Sequence, residues 1–247
     1  TSVNPQPLLS LTGIESRDIS KVEASGAPAT FDSPNVGQRT VTITNVNLSG
    51  ERKGNYLINP VAINPNWRIN KLNYLTAGIK IVFDYQVKVF DGTTLVLPDG
   101  KNTPIRVIGL LLNDSFTAKA SSAAYNSATA DFKNKVVTLS GISYLGSDAQ
   151  NYELPTTIKN DTCSILPLNI SNLPNAKISF ANQTKVYDGT TNVLPKAVPD
   201  ITITGLIPNF DNVQGAGKLA SNDNKNVGVN KVVTIKDVTY SGNDALN

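Results

Sequence analysis

The chain is poor in the residues that most enzyme and metal sites use. Its 247 residues include no histidine, no methionine and a single cysteine, Cys163. Without histidine there is no Ser–His pair for nucleophilic catalysis, and the ligands of ordinary zinc sites are missing as well. No pair of carboxylates recurs at a fixed spacing that would indicate general acid–base chemistry. We therefore predict that the protein is not an enzyme and has no catalytic, cofactor-binding or metal-binding residues.

Charge and long apolar runs are equally scarce. Charged residues make up 17% of the chain, the net charge is +3, and no basic run is longer than Arg52-Lys53. Nucleic-acid binding needs a basic face with stacking aromatic rings, and a membrane helix needs roughly 20 apolar residues in succession. We expect no nucleic-acid partner and no membrane insertion. Because one thiol cannot form a disulfide within the chain, packing has to hold the fold together.

The chain does contain an internal repeat. Repeats have to be recognised first, because overlooking one leads to a wrong assignment of the whole fold. The heptapeptide Lys88–Thr94, K-V-F-D-G-T-T, returns as K-V-Y-D-G-T-T at Lys185–Thr191. Other positions recur every 96 residues, namely Gly13, Gly109 and Gly205, Val41, Val137 and Val233, Gly50, Gly146 and Gly242, and Tyr56 and Tyr152. We predict three copies of one unit: residues 1–72, N-terminally incomplete, residues 73–168, complete, and residues 169–247, C-terminally incomplete.

The apolar pattern within each copy indicates β-strands. Apolar residues alternate with polar ones, and Gly, Pro, Asn and Asp interrupt the runs. The spacing slips by one residue between Ile43 and Val46, and equivalently in the other two copies, which indicates a bulge or a tight corner. We predict an all-β tandem array of immunoglobulin-like β-sandwiches of about 96 residues each. The alternative is a β-grasp-like unit with one short helix near Ser121–Thr129.

The repeat also predicts which side chains form the core. We expect burial at equivalent places for Val41, Val137 and Val233, with Ile43, Leu139 and Ile235 beside them. Cys163 lies 96 residues after Trp67, and a position that accepts either residue indicates an apolar core site. We also expect the ring of Tyr187 to pack into the third copy and anchor its start.

The polar motifs favour structural roles over binding. Asp91-Gly92 and Asp188-Gly189 are typical of tight turns, with Lys88 and Lys185 beside them as surface ion pairs of small energetic value. Asp148 and Asp244 lie in Gly-x-Asp-Ala loops, which offer too few carboxylates for calcium. Five matches to the glycosylation pattern begin at Asn47, Asn113, Asn160, Asn169 and Asn182. A Lys–Asn isopeptide cross-link assisted by a buried acid is a further alternative, and the sequence does not locate one.

Four motifs in fixed order resemble a known family. They are K-V-Y-D-G-T-T, then Asn-Val-Gly at Asn35–Gly37 and Asn226–Gly228, then V-V-T-L-S-G, then G-S-D-A-Q-N-Y. This order resembles the YDG-type repeats of filamentous-haemagglutinin-like bacterial surface adhesins, and the resemblance covers the whole chain. It departs at Phe90, at the missing Asn-Val-Gly of the second copy, and at the Glu-Arg-Lys-Gly-Asn of residues 51–55. The resemblance implies a secreted array at the cell surface, often exported by an outer-membrane partner protein, and no catalytic residues.

Two classes of function follow as expectations. The first is a structural and adhesive segment, a semi-rigid stalk of tandem β-domains that supports cell adhesion or biofilm. Its partners would be a host or neighbouring-cell surface, through glycan or protein, or other copies of itself. The second is an array of glycan-binding modules, with Tyr74, Tyr85, Tyr125 and Tyr144 as candidate contacts.

The two incomplete copies raise a third expectation. A sheet that lacks a strand exposes unpaired backbone groups, and such an edge recruits another chain. Either the missing segments belong to neighbouring parts of a longer protein, or a second molecule supplies them. In the second case molecules would join head to tail into a strand-exchanged extracellular filament.

Overall fold

The computed structural model describes residues 2–96, 103–111, 113–193, 200–207 and 212–246, and in these ranges the chain is all-β. Helical structure there is limited to short 3-10 turns at Ser16–Asp18, Lys53–Asn55, Ser147–Asn151 and Ile170–Asn172. No described helix is long and apolar enough to cross a bilayer. The predicted all-β tandem array is therefore confirmed, with sheets of two to four strands.

Twenty-one strands are assigned in the described ranges. The first six are β1 (Glu23–Ser25), β2 (Ala29–Phe31), β3 (Gly37–Ile43), β4 (Asn47–Ser49), β5 (Ala62–Ile69) and β6 (Leu72–Asn73). The next nine are β7 (Lys80–Phe83), β8 (Val87–Val89), β9 (Ile105–Ile108), β10 (Thr117–Lys119), β11 (Ser122–Tyr125), β12 (Asp131–Ser140), β13 (Ser143–Leu145), β14 (Tyr152–Glu153) and β15 (Thr157–Leu166). The last six are β16 (Lys177–Phe180), β17 (Ile201–Thr204), β18 (Gln214–Ala216), β19 (Leu219–Asn222), β20 (Val233–Lys236) and β21 (Thr239–Ser241).

One of two compact units comprises Thr1–Lys80, Val107–Thr117 and Tyr144–Pro155. Its main sheet has the order β2-β3-β5, with both pairings antiparallel, and β1 pairs with β4 beside it. The core of this sheet consists of buried Val3, Ala29, Val41, Ile43 and Val46, against which Leu9, Phe31, Ile58, Ala62 and Trp67 pack. The rings of Phe31 and Trp67 meet edge to face with their centroids 6.0 Å apart.

The other unit comprises Ile81–Arg106, Ala118–Ser143 and Thr156–Asn247. It holds the four-stranded sheet β11-β12-β15-β8, in which β15 runs antiparallel to β12 and parallel to β8. It also holds the sheet β16-β17-β18-β21 and the pair β19-β20. Strands β11-β12 and β19-β20 are the counterparts of β2-β3, so the strand order repeats with the sequence. The predicted boundaries at residues 72 and 168 stay a prediction.

The alternative with a short helix at Ser121–Thr129 is wrong, because residues 122–125 form β11. This strand pairs with β12 from Ser122 opposite Ser140 to Tyr125 opposite Val137. Ala123 and Ala124 favour a helix in isolation, but cross-strand packing outweighs so small an intrinsic preference.

The slip in apolar spacing is a tight corner between two strands. Asn45, Gly141 and Asp237, which are 96 residues apart, all have positive φ, at 53°, 61° and 51°. Short polar residues and glycine tolerate this left-handed backbone, which bulkier residues avoid. After each corner the chain enters the next strand, β4, β13 or β21.

The predicted core valines are buried in two copies and half-buried in the third. Val41 and Val137 are 2% and 0% exposed, whereas Val233 and, beside it, Ile235 are half-buried. The expectation of equal burial is therefore wrong for the third copy. The physical reason is the neighbouring strand: β3 and β12 each lie between two strands, while β20 pairs with β19 alone among the described residues.

A recurring core valine was missed at the sequence level. Val3, Val96 and Val193 are 3%, 4% and 4% exposed. The residue before each valine forms an isolated antiparallel β-bridge to β2 or to its counterpart in that copy. The three bridges are Ser2 to Thr30, Leu95 to Ala124 and Asn192 to Ser221. The valine that follows the bridge is therefore a core position shared by the three copies.

Candidate functional site

The heptapeptide of the second copy folds into a turn that encloses a lysine. The Lys88 amino group donates to Asp91 Oδ1 at 2.6 Å, to the Thr93 carbonyl at 2.7 Å and to Thr93 Oγ1 at 3.1 Å. It also lies 5.4 Å from the centre of the Tyr125 ring, within reach of a cation–π interaction. The Lys88 side chain is only 2% exposed. All three donor sites of the ammonium group are thus used within the protein.

The third copy forms the same turn with equivalent donors and acceptors, and its lysine has one further acceptor. The Lys185 amino group reaches Asp188 Oδ1 and the Thr190 carbonyl at 2.8 Å each, and also the Asn192 carbonyl at 2.8 Å. In both turns the Asp carboxylate accepts from the backbone amide two residues on, at 2.9 Å. The predicted tight turns are confirmed. The expected surface pair is wrong for Lys88, because β15 and Tyr125 enclose its copy of the turn.

Both aspartates of these turns are stabilised in their charged form. Burial by itself would raise the pKa of Asp91, but the hydrogen bonds from Lys88 and Thr93 outweigh it and hold the pKa below its ordinary value. At the more exposed turn, the hydrogen bond from Lys185, with those from Thr190, lowers the pKa of Asp188 to about 2. In each turn these hydrogen bonds converge on one carboxylate oxygen, Oδ1, so the aspartate serves as the acceptor that holds the turn together.

A second recurring device, here called the clasp, comprises Gly146, Asp148 and Tyr152. Asp148 Oδ2 accepts from the Ser115 amide at 3.0 Å, and the Tyr152 hydroxyl donates to Asp114 Oδ2 at 2.6 Å. Gly146 has φ +135°, and a Cβ added there would come within 2.8 Å of the Ser115 carbonyl. The motif thus joins its loop to the residues just before β10.

The other copies repeat the clasp with different residues. In the third copy Asp244 Oδ2 accepts from the Asn212 amide at 2.8 Å. In the first copy the Tyr56 hydroxyl donates to Asp18 Oδ2 at 3.1 Å, and Arg52 takes the place of the loop aspartate, 4.0 Å from the carboxylate of buried Asp18. The charge reversal at Arg52 therefore keeps the clasp. Within the described ranges, no three His, Cys, Asp or Glu side chains lie close enough together to hold a metal ion.

A third device, the joint, links two copies within one compact unit. Asn151, from the second copy's loop, accepts from the Val36 amide at 3.0 Å and donates to Asn35 Oδ1 at 3.1 Å. The same loop leads into β14, which pairs in parallel with β6 through Tyr152 opposite Leu72 and Glu153 opposite Asn73. The Asn-Val-Gly motif of one copy thus binds the Asn-Tyr motif of the next. Because 115 residues separate Val36 from Asn151, nothing local in the sequence indicated this contact.

A cation caps the loop before the long strand in every copy. Arg39 donates to the Asn35 and Val36 carbonyls at 2.7 and 2.8 Å, and Lys135 donates to Ser127 Oγ and Thr129 Oγ1 at 2.6 and 3.0 Å. Burial lowers the pKa of Lys135, and Asp131 partly opposes that shift. Lys231, another 96 residues on, contacts Asn224 Oδ1. The three positions share one structural role.

One cluster has the residue types of an isopeptide site but lacks the burial that such a site needs. It consists of Lys231, Asn224 and Asp223. Asp223 Oδ1 lies 3.6 Å from the Lys231 amino group, and their side chains are 42% and 22% exposed. The cross-linking reaction needs a lysine and an acid that are shielded from water, because burial favours the neutral form of both groups. The trio is therefore best explained as the loop cap that the other copies also have.

The four candidate tyrosines do not form one exposed face. Tyr125 is 4% exposed and part of the core, and Tyr144 is half-buried, with its hydroxyl donating to the Pro155 carbonyl. Burial raises the pKa of both to about 12. Tyr74 is half-buried as well, and Tyr85 is 66% exposed. Of the four, only Tyr85 presents most of its ring to solvent.

The predicted core role of Cys163 is confirmed, and one glycosylation match has a structural use. Cys163 is fully buried, and its sulfur accepts from the Gln86 amide at 3.2 Å. The Asn160 side chain donates to the Phe83 carbonyl and accepts from the Thr162 amide, both at 3.0 Å. Asn47, Asn113, Asn169 and Asn182 are exposed.

Comparison with known proteins gives one family. A family model described as the YDG domain matches residues 2–63, 79–159 and 174–247. Comparison with curated proteins and with solved structures gave no match. The three matched segments contain the two lysine turns, the clasps and the side-chain hydrogen bonds of the joint, while β6 lies between the first two segments.

Proposed function

The chain belongs to the YDG domain family and contains three copies of that domain. On this basis we propose that it is a structural and adhesive segment of a large secreted bacterial surface protein. In this role it forms part of a semi-rigid stalk of tandem β-domains that supports cell adhesion or biofilm. Export through an outer-membrane partner protein and exposure at the cell surface belong to the same proposal.

The observation that carries the proposal is the joint between copies. Two hydrogen bonds connect Asn151 of the second copy to Asn35 and Val36 of the first, and β6, which spans the predicted boundary at residue 72, pairs with β14 beside them. A joint made of backbone pairing and side-chain bonds restricts bending more than a bare linker does. Since repeats contact only their neighbours, such joints let a stalk grow by adding copies.

The use of the motif residues supports the same function. In the lysine turns, the clasps and the loop cations, the polar groups form hydrogen bonds inside the protein. An array whose repeated residues maintain structure is suited to spacing and bearing tension. Adhesion would then depend on surfaces between these devices, with a host or neighbouring-cell glycan or protein, or another copy, as partner.

Single-molecule force spectroscopy tests the stalk role. The chain is tethered at both ends and stretched, and we expect each β-sheet core to unfold as a separate cooperative event. Asn151→Ala removes both side-chain bonds of the joint and leaves the β6–β14 pairing, so we expect the first and second copies to bend more easily against each other before either unfolds. Gln150→Ala, at an exposed neighbouring residue, is the matched control and should leave the trace unchanged.

Two results would contradict the stalk role. One is extension at low force without discrete events, which would mean that the copies do not resist tension. The other is identical bending stiffness of the wild type and Asn151→Ala, which would mean that the side-chain bonds of the joint do not couple the copies. A glycan array tests the alternative class: saturable binding that Tyr85→Ala abolishes would favour a glycan-binding module.

A further inference from the structure

In the second copy, a strand from the start of the copy pairs with the strand at its end. Along the chain, β8 precedes and β15 follows the other strands of their shared sheet. The two strands, here called the parallel pair, run in the same direction, with Ser164–Leu166 opposite Val87–Val89. Tension along the chain pulls β8 from its N-terminal end and β15 from its C-terminal end. The two strands are therefore drawn past each other.

This direction of pull matters because of how parallel strands are bonded. The Ser164 amide donates to the Gln86 carbonyl at 3.0 Å at one end of the pair, and the Phe90 amide donates to the Leu166 carbonyl at 2.8 Å at the other. The bonds of a parallel ladder are evenly spaced along both strands. When the strands slide past each other, these bonds are stretched together and have to break together. When the strands are peeled apart from one end, the same bonds break one after another, each at a lower force.

The far end of β8 is held in place by the lysine turn. The Lys88 amino group, which belongs to the parallel pair, reaches Asp91 and Thr93 beyond the end of the strand. The next residue, Thr94, accepts through its carbonyl from the Tyr125 amide at 2.8 Å, which attaches the turn to β11. Because β8 cannot move towards its N-terminus without dragging this attached turn, the turn opposes sliding.

The core side of the parallel pair is shielded from water. Ile165 is fully buried, and Lys88, which lies opposite it, is 5% exposed. Water that reaches a stretched backbone bond can replace it with bonds of its own, which makes the loss of that bond cheap. Shielding therefore keeps the bonds of the pair from being exchanged singly before the strands slide.

We propose that the parallel pair is the mechanical clamp of the second copy, the element that determines the force at which this copy unfolds under tension. The lysine turn holds β8 in register, which assigns a mechanical role to the repeated heptapeptide. The inference rests on the stalk role and goes beyond it, because unfolding in discrete events does not say which strands resist. Resistance at the parallel pair has its own signature, since it depends on the direction of the pull.

The test applies force to the same fold in two directions. In the whole chain, Cys163 is replaced by alanine, and two exposed residues become cysteines that carry the handles for optical tweezers. Tyr85→Cys with Asn172→Cys places the handles before β8 and after β15, so that the pair slides. Tyr85→Cys with Asp161→Cys places them at the N-terminal ends of both paired segments, so that the pair peels. Because several bonds share the force during sliding, we expect the unfolding force to be about twofold higher, or more, in that direction.

Matched controls exist for both directions. Without force, native-state hydrogen exchange should give the same free energy of unfolding for both variants, because they differ only at exposed positions. If Asp161→Cys does not fold, Lys159→Cys, which is exposed on the same strand, takes its place. Lys88→Met should lower the sliding force by a larger fraction than the peeling force, because it releases β8 from the turn. Val87→Ala, at an exposed residue of the same strand, should change neither force.

The outcomes separate the clamp from the stalk role. Equal forces in the two directions, or a higher force for peeling, would overturn the clamp, while discrete unfolding events in the same traces would leave the stalk role standing. An equal fractional loss in both directions for Lys88→Met would overturn the role of the lysine turn. A higher force for sliding, with a selective loss for Lys88→Met, would support both parts of the proposal.

Discussion

The same heptapeptide occurs in two surroundings, and the contrast separates local from non-local structure. In the second copy Lys88 and Phe90 are 5% and 4% exposed, whereas in the third copy Lys185 is half-buried and Tyr187 is 58% exposed. Both turns nevertheless make the same lysine–aspartate and aspartate–amide hydrogen bonds. The turn therefore depends on seven adjacent residues, while the burial of its aromatic residue depends on a distant strand.

The strand responsible is β15, which starts 67 residues after Phe90. It pairs with β8, and its terminal Leu166 carbonyl accepts from the Phe90 amide at 2.8 Å. No described strand lies beside residues 185–187. The two turns thus form a natural experiment in which the local sequence is held nearly constant and the neighbouring strand is varied.

The largest difference between the two turns is expected for the aromatic residue. Phe90→Ala should destabilise the second copy by about 3–5 kcal/mol, because it removes a buried ring and leaves a cavity. Tyr187→Ala should destabilise the third copy by no more than about 0.5 kcal/mol, because that ring is largely exposed. Native-state hydrogen exchange is the suitable measurement, since it reads the free energy of unfolding of each copy separately.

The expectation that Tyr187 anchors the third copy came from the sequence and is wrong for the described structure. Equal losses for the two substitutions would reverse that conclusion and place the Tyr187 ring in a core. Tyr187→Phe is the control, since it keeps the ring and removes only the hydroxyl.

Substitution of the two lysines should also destabilise the second copy more than the third, but the difference should be smaller than for the aromatic residues. Lys88→Met removes an almost fully buried ammonium group and leaves Asp91 and the Thr93 carbonyl without its hydrogen bonds, so we expect a loss of about 2–3 kcal/mol. Lys185→Met acts on a turn that water reaches, and we expect a loss of about 1 kcal/mol or less. Hydrogen exchange of the two turns distinguishes these outcomes. A larger loss at Lys185 would mean that the turn, not its burial, carries the stability.

The features that the sequence predicted are those that short-range chemistry determines. Asp-Gly favours a tight turn, the positive-φ corner at Asn45 shows in the apolar spacing, and the core role of Cys163 follows from its equivalence to Trp67. The period of 96 residues predicted the equivalent positions of the three copies, because it aligned residues of different type, such as Trp67 and Cys163.

The features that the sequence did not predict depend on distant neighbours. A Lys–Asp pair three residues apart looks the same whether it is exposed or enclosed, so the burial of Lys88 could not be read from the heptapeptide. The joint between Asn35 and Asn151 spans 116 residues and has no local signature. Val3 was missed because the match to Val96 and Val193 departs from the main interval of 96 residues.

The clasp glycines should show no difference between the copies. A Cβ at Gly146 would meet the Ser115 carbonyl, and a Cβ at Gly242 would meet the Asn212 carbonyl, while both residues have positive φ. Each Gly→Ala change should therefore cost about 2 kcal/mol, within the range for a strained backbone. Gly189→Ala is the control: φ is also positive there, but nothing lies within 4 Å of the added Cβ, so the cost should be nearer 1 kcal/mol. A much smaller loss at Gly242 than at Gly146 would mean that the clasp also needs β15.

The smallest effect is expected in acid, where the two turns should again behave alike. Both aspartates have a pKa below the ordinary value of 3.8 in the folded chain, about 2 for Asp188. A group whose pKa is lowered by folding stabilises the fold above its unfolded pKa, and that contribution is lost as the pH falls towards the folded pKa. The third copy's turn should therefore lose stability between about pH 4 and pH 2, and the second copy's turn should lose stability as the pH falls below about 4. Asp188→Asn should remove this dependence in the third copy. Carboxyl NMR signals report the two protonation midpoints directly. Midpoints below 3.8 for both residues would establish that the hydrogen bonds of the turn, which the copies share, control its charge despite the difference in burial. A midpoint at or above 3.8 for Asp91 alone would show that burial beside β15 overrides those bonds.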